Sequence, residues 1–269
     1  MLRAELYRAF GNKFFFLSLA LGIGIAVAHI FQFVIPTSIE ESAYIYDFPA
    51  SAFTRWIGGW SYPVHPDLFY LASPLLAALP FGWSFSTDWN SGYANQVFTR
   101  ARRCQFLLAK VLASFASAGV AVIAPLIINF LGTACVLPLI TPHVTGIGSF
   151  MVLPMYFMGD LFFENPLAYL GTYLTISFIA AGLMGCLCFP ASLLLSNKYV
   201  VICFPFVLCT ILASFTSRTS WYSLAPTSFI RAGQDFGPLV PDQALIFCGL
   251  AIGVIGFGLL LASRKDYLS

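Results

Sequence analysis

The residues able to do acid–base, nucleophilic or metal chemistry are few: eleven Asp and Glu, three His and seven Cys in 269 residues. Their spacing excludes the common catalytic constellations. There is no G-x-x-x-x-G-K-[ST] loop to cradle nucleotide phosphates, no H-E-x-x-H and no G-x-S-x-G. His29, His65 and His143 are scattered without ligand spacing. Cys186 and Cys188 form a C-x-C inside an apolar run with no His or acid beside it, which reads as packing. The remaining cysteines, Cys104, Cys135, Cys203, Cys209 and Cys248, lie in or beside apolar runs, so no disulfide framework is expected.

What does stand out is a polar segment, Ser86-Thr87-Asp88-Trp89-Asn90-Ser91-Gly92-Tyr93-Ala94-Asn95-Gln96-Val97-Phe98-Thr99-Arg100. It reads as one short helix over 86–100. Ser86 or Thr87 can cap it, Asp88 suits its positive dipole end, and Trp89, Tyr93 and Val97 share a face. A basic patch of Arg100, Arg102 and Arg103 follows. Residues 1–13 hold a second short element, with Leu2, Leu6, Ala9 and Phe10 as an apolar stripe opposite Arg3, Glu5, Arg8 and Asn12. That pattern suits an amphipathic helix lying in the membrane plane.

The elements that must carry these segments are set by composition. The chain is 59% hydrophobic, 9% charged and 17% aromatic, with a mean hydropathy of +0.85. That is an integral membrane composition. Six spans are expected, at about Phe14 to Phe33, Leu68 to Phe85, Gln105 to Thr133, Leu167 to Ser192, Tyr199 to Phe215 and Gln243 to Ala262. The fold class is therefore all-α integral membrane, one domain over 1–269 with six transmembrane helices and no second soluble domain. Phe14 to Phe33 is long enough to span, so it is read as a retained helix and not as a signal peptide. Pro74, Pro80, Pro125, Pro190 and Pro205 fall in spans and predict kinks. Gly249 with Gly253, and Ser114 with Ala118, are small pairs suited to close helix contact, within or between chains.

Orientation follows from the basic residues. Arg3, Arg8, Lys13, Arg100, Arg102, Arg103, Lys110, Lys198, Arg264 and Lys265 fall on one side, and Arg55, Arg218 and Arg231 on the other with most of the acids. The first side is cytoplasmic and holds both termini. Trp56, Trp60 and Trp221 then mark the outer interface, Trp83 and Trp89 the inner one. Gly146 to Phe163 reads as an interfacial or partly inserted outer segment, because a seventh span there would invert the later loops. Ser217 to Asp242 predicts short outer helices dipping into the interface before span six. No acid occupies a span centre and Lys110 is near enough to the inner surface to snorkel, which argues against a proton- or sodium-driven carrier. A net charge of +2, spread along the chain, gives no reason to expect nucleic acid as a partner.

The opening Arg3-Ala4-Glu5-Leu6-Tyr7-Arg8 with Lys13, the segment Asp88 to Arg100 with Gly92, the continuation Arg103-Cys104-Gln105-Phe106-Leu107-Leu108-Ala109-Lys110, and the turn Ser196-Asn197-Lys198-Tyr199 together resemble the permease subunits of ATP-binding cassette exporters of the type-two class, such as antibiotic and peptide efflux or immunity permeases. The resemblance implies a permease in a bacterial cell membrane that exports a hydrophobic or amphipathic substrate such as a peptide, antibiotic or lipid. It implies a dimer with a second permease, identical or related, and docking onto two copies of a separate ATPase that binds ATP and Mg; this chain would itself hold no cofactor and catalyse nothing. Asp88, Trp89, Gly92, Tyr93, Arg100 and Arg103 would be the coupling residues. Two other readings stay open: a non-transporting membrane sensor or scaffold docked to an ATPase, and an intramembrane enzyme. The pair Glu40-Glu41 is similar to the glutamates of intramembrane prenyl-protein proteases, but that motif has Arg where this chain has Ile45, and an exposed acidic turn is the plainer reading.

Overall fold

The computed structural model describes residues 1–43, 50–59, 64–99, 102–143, 152–235 and 237–264, with backbone alone for 40–43 and 264. Among them every regular element is helical. Six helices are long and apolar enough to cross a bilayer: Lys13–Ile39, Val64–Asn90, Arg103–Val136, Pro166–Leu194, Lys198–Thr216 and Pro241–Ser263. Each contains one of the expected spans, and the chain is built as a multi-pass membrane protein. We call the end of the bundle holding Leu2–Phe10 proximal and the opposite end distal.

Asparagine begins three of these helices. Asn12 Oδ1 accepts the amides of Phe14 (2.9 Å) and Phe15 (3.0 Å) and so caps α2 (Lys13–His29) after the short α1 (Leu2–Phe10). Its Nδ2 donates to the carbonyls of Arg8, Ala9 and Pro80, which joins the end of α1 to the second span. Asn165 starts α10 (Pro166–Cys186), aided by proline at its first position, and Asn197 starts α12 (Lys198–Thr216).

Of the five expected kinks, two are breaks and three are not. The second span divides into α5 (Val64–Ala78) and α6 (Trp83–Asn90) around Pro80. Pro80 has no N–H for the Leu76 carbonyl four residues back, and Ser18 of α2 donates there instead at 2.7 Å. The fourth span divides between α10 and α11 (Cys188–Leu194) just ahead of Pro190. Pro74, Pro125 and Pro205 stay inside continuous helices, α5, α8 (Arg103–Val136) and α12. The first span also widens into a π turn at Ile30–Val34 before Pro36 and runs on as α3 (Ile35–Ala43), so Glu40 and Glu41 sit on helical backbone and not in a turn.

Span three packs at the centre, most closely with span four. Gly119 lies against the Phe178 ring and Gly182 against the Phe115 ring, and the two rings meet edge to face at 5.6 Å. A side chain at either glycine would collide with the opposing ring. The two small pairs divide similarly: Ser114 and Ala118 are buried against Gly185, whereas Gly249 and Gly253 face open space on α14 (Pro241–Arg264). Spans one, five and six expose most of their apolar surface.

At the distal end, irregular chain enters the bundle. Residues 50–59, with α4 (Ala52–Arg55), and residues 225–234, with α13 (Pro226–Phe229), are mostly buried. Trp56, expected at the interface, is 3% exposed and packs edge-on to Phe130, while Trp60 lies outside the described residues. Residues 152–163 form turns and the start of α9 (Gly159–Glu164), with Val152 and Phe162 buried; the preceding 144–151 lie outside the described residues.

Candidate functional site

Three separate elements bring charge together at the proximal end. Arg8 of α1 donates to Glu5 (3.1 and 3.3 Å) and, through both terminal nitrogens, to Asp88 of α6 (2.9 and 3.2 Å). Lys110 of α8 pairs with the same Asp88 and lies 3.9 Å from Glu5. Lys110, Glu5 and Asp88 are only 1, 3 and 5% exposed. Two cations face two carboxylates, so the group is neutral as a whole, which is how charges persist away from water. Aromatic rings enclose it: Lys110 lies over Phe81, Phe85 and Phe106 at 5.2–5.6 Å, and Arg8 over Tyr93 at 5.1 Å. Burial alone would lower the Arg8 pKa, but hydrogen bonds and charge attraction from Asp88 and Glu5 outweigh it and hold it above its ordinary value.

This arrangement corrects several expectations. Lys110 does not snorkel to the surface but ends in a carboxylate pair. The inward side of α1 carries Glu5, Arg8 and Ala9, while Leu2 and Tyr7 of the same helix are exposed, so α1 turns part of its polar face to the protein. The single helix over 86–100 is two: α6 ends at Asn90, and α7 (Tyr93–Phe98) begins after Gly92, whose φ of 70° is a left-handed conformation suited to glycine. Asp88 is therefore in the last turn of α6, not at a positive dipole end, and Arg8 and Lys110 are what hold it. Nor do Ser86 and Thr87 cap a helix. Thr87 bonds back to the Trp83 carbonyl, while Ser86 (2.6 Å) and Asn90 (2.7 Å) reach the Ser196 carbonyl in the turn between spans four and five.

The other coupling candidates surround this cluster. Trp89 meets Phe98 at a tilt with ring centres 6.0 Å apart, and Arg103, at the start of α8, lies over the same Phe98 at 5.4 Å. Phe98 and Tyr93 both contact Phe106. Arg100 lies outside the described residues. Ala94 is buried beneath α7, and the outward side presents Tyr93, 40% exposed, with Asn95, Gln96 and Thr99. That surface is polar and uncharged.

Sequence reasoning missed Arg8 and Lys110 as partners of Asp88, and Glu5 as the second carboxylate they share. The signal was present in Lys110 itself, because a lysine inside an apolar run needs a counter-charge, and Glu5 and Asp88 are the nearest acids at that end. It also missed the meeting of His29 with His65. Asn129 Oδ1 accepts the Ile57 amide (2.8 Å), which turns its Nδ2 toward the Ala26 carbonyl (3.0 Å) and His29 Nδ1 (3.1 Å). Neutral His29 then carries its proton on Nε2. The ring lies edge-on to His65 at 5.7 Å, and His65 Nε2 is 2.9 Å from Gln32 Oε1. No group of three or more His, Cys, Asp or Glu poised for a metal occurs among the described residues.

Comparison with protein-family models gives no match, and comparison with curated protein sequences gives none either.

Proposed function

We propose that the chain is the permease subunit of an ATP-binding cassette exporter of the type-two class, lying in a bacterial cell membrane with its proximal end in the cytoplasm. It pairs with a second permease, identical or related, and docks separate ATPase subunits that bind ATP and Mg. One observation carries this reading. The short helix α1 is joined to spans two and three by a buried, neutral ion cluster, and α7, which follows span two, packs its rings on Arg8 and Phe106 beside that cluster and turns an uncharged polar face outward.

A permease that hydrolyses nothing must receive displacement from a partner and pass it to its helices without losing it in loose side chains. Asp88 in the last turn of α6 bridges Arg8 on α1 and Lys110 on α8, while Tyr93 of α7 lies under the Arg8 guanidinium and, with Phe98, against Phe106 of α8, so a push on α7 reaches α1 and spans two and three. Tyr93, Asn95 and Gln96 meet the ATPase; Asp88, Arg8 and Lys110 transmit. Export of a hydrophobic or amphipathic substrate accords with the apolar sides of spans five and six.

Purifying the tagged chain in mild detergent from its native host, with Gln96→Arg as a docking variant, tests the reading. A stoichiometric ATPase, lost in the variant, supports it. If the chain comes out alone under conditions that preserve known complexes, the reading fails. A bound ATPase with no transport makes the chain a sensor or scaffold, and turnover by the chain alone makes it an enzyme.

A further inference from the structure

Span five has two unlike faces. Phe204, Leu208, Ile211 and Phe215 border an apolar groove shared with span six, whereas Thr210, Ser214 and Ser217, a stripe about 120° round the helix by the period of 3.6 residues per turn, line a cavity of about 330 Å³. Leu71 of span two forms its apolar wall. Tyr222, Thr227, Ser228 and Arg231 of the distal chain line its other side, and it stays open beside Ser214 and Ser217, which are exposed. Its volume is at the lower end of the range for small-molecule sites, and its lining has their usual character, an apolar wall with a few converging polar groups.

Charge narrows the occupant. Arg231 is buried and, among the described residues, is the one charged residue lining the cavity. Nη1 is 2.6 Å from Asp67 and 3.6 Å from Asp235, Nε donates to the Thr227 carbonyl, and the group lies 4.9 Å over the Tyr70 ring. Neither carboxylate lines the cavity. An anion entering it would meet a cation already matched by two acids, and a cation would meet the guanidinium first. Thr210 and Ser217 already donate to the Phe206 and Ser214 carbonyls and so meet a ligand as acceptors; a neutral, hydroxyl-bearing group that donates to them fits beside a balanced arginine.

We propose that this cavity binds the uncharged, hydroxyl-rich headgroup of an amphiphile, with Thr210, Ser214, Ser217 and Arg231 holding the head and the chain lying against Leu71. That chemistry belongs equally to a glycosylated membrane lipid and to a single-chain glycosylated cargo. Binding rests on the cavity alone; only the name cargo rests on the permease proposal.

The test is photo-crosslinking of the purified chain in phosphatidylcholine nanodiscs with an alkyl glucoside carrying a diazirine at the head end of its chain, next to the sugar, the adducts being mapped by mass spectrometry. Adducts concentrate on 210–217 and 222–228. They fall about tenfold in Ser214→Trp, which fills the cavity, and in Thr210→Val/Ser217→Ala, which keeps its shape without two hydroxyls. Competition by a glycosyl diacylglycerol in the disc identifies a resident lipid as the source; labelling that this lipid leaves unchanged identifies a single-chain ligand. Adducts spread evenly over spans five and six, indifference to both variants, or stronger labelling by an alkyl phosphate probe overturns the proposal. Because no ATPase is present, its failure leaves the permease reading standing, and a missing ATPase in co-purification leaves this site standing.

Discussion

The two ends of the bundle each bury a cation, and they use it differently. Lys110 at the proximal end shares a carboxylate with Arg8, so that three helices distant in sequence meet in one cluster. Arg231 at the distal end holds Asp67, whose side chain is 60% exposed, and most of the work there falls to neutral side chains that take up backbone groups of inserted chain. Tyr169 donates to the Ala232 carbonyl at 2.5 Å, Gln234 to the Phe157 carbonyl at 2.9 Å, and Asn129 answers Ile57 and Ala26. Irregular backbone at membrane depth survives only where protein groups satisfy it. The distal end is therefore a plug held by hydrogen bonds, and the proximal end a joint held by charge.

Removing Lys110 should produce the largest break in this contrast. Lys110→Met leaves two buried carboxylates facing each other with Arg8 alone, and we expect a loss of about 3–5 kcal/mol, read as a lowered thermal midpoint in detergent. Lys110→Met combined with Asp88→Asn should lose less than the sum of the two, since the partners share one network. Additive losses would mean that the cluster is not a unit.

Asn129→Leu comes next. It strands the Ile57 amide, at about 1–3 kcal/mol, while the Ala26 carbonyl keeps the Ile30 amide, and limited proteolysis should cut within 50–59 while the segment around α7 stays protected. Equal cutting at both ends would erase the distinction between plug and joint. At the Arg231 pair, Arg231→Met leaves Asp235 in a buried setting and lowers the midpoint clearly. Asp67→Asn, at a mostly exposed partner, changes stability by less than about 1 kcal/mol. The smallest effect belongs to Gly92: Gly92→Ala strains a left-handed residue by about 1 kcal/mol, and Gly92→Asn by less, a difference chemical denaturation can resolve.

How much of this was legible in the sequence depends on the range of the interaction. Apolar runs placed all six spans, because hydrophobicity and length are local properties. The caps at Asn12, Asn165 and Asn197 act within three residues and are local too, though the sequence reading did not use them, and the second tie of Asn12, to Pro80 in span two, is not local. Asp88 is different. As part of one short helix it reads as a dipole or docking residue, and only contact with Arg8, eighty positions away, shows it to be an internal anchor. Glu5 and Arg8 misled for the same reason, since a helical wheel assigns polar residues to water unless a buried partner claims them. Trp56 followed a membrane-interface rule that assumes the loop lies outside, whereas this loop is drawn into the bundle by the Asn129 amide.

The central claim is that the proximal cluster carries motion from a docked ATPase to the spans, and substrate-stimulated ATP hydrolysis by the reconstituted complex tests it most directly. For Asp88→Asn we predict that the ATPase still co-purifies and keeps its basal rate, while stimulation by substrate falls by about tenfold or more. Stimulation equal to that of the unaltered complex, with the ATPase bound, would contradict the account and reduce the cluster to a structural tie.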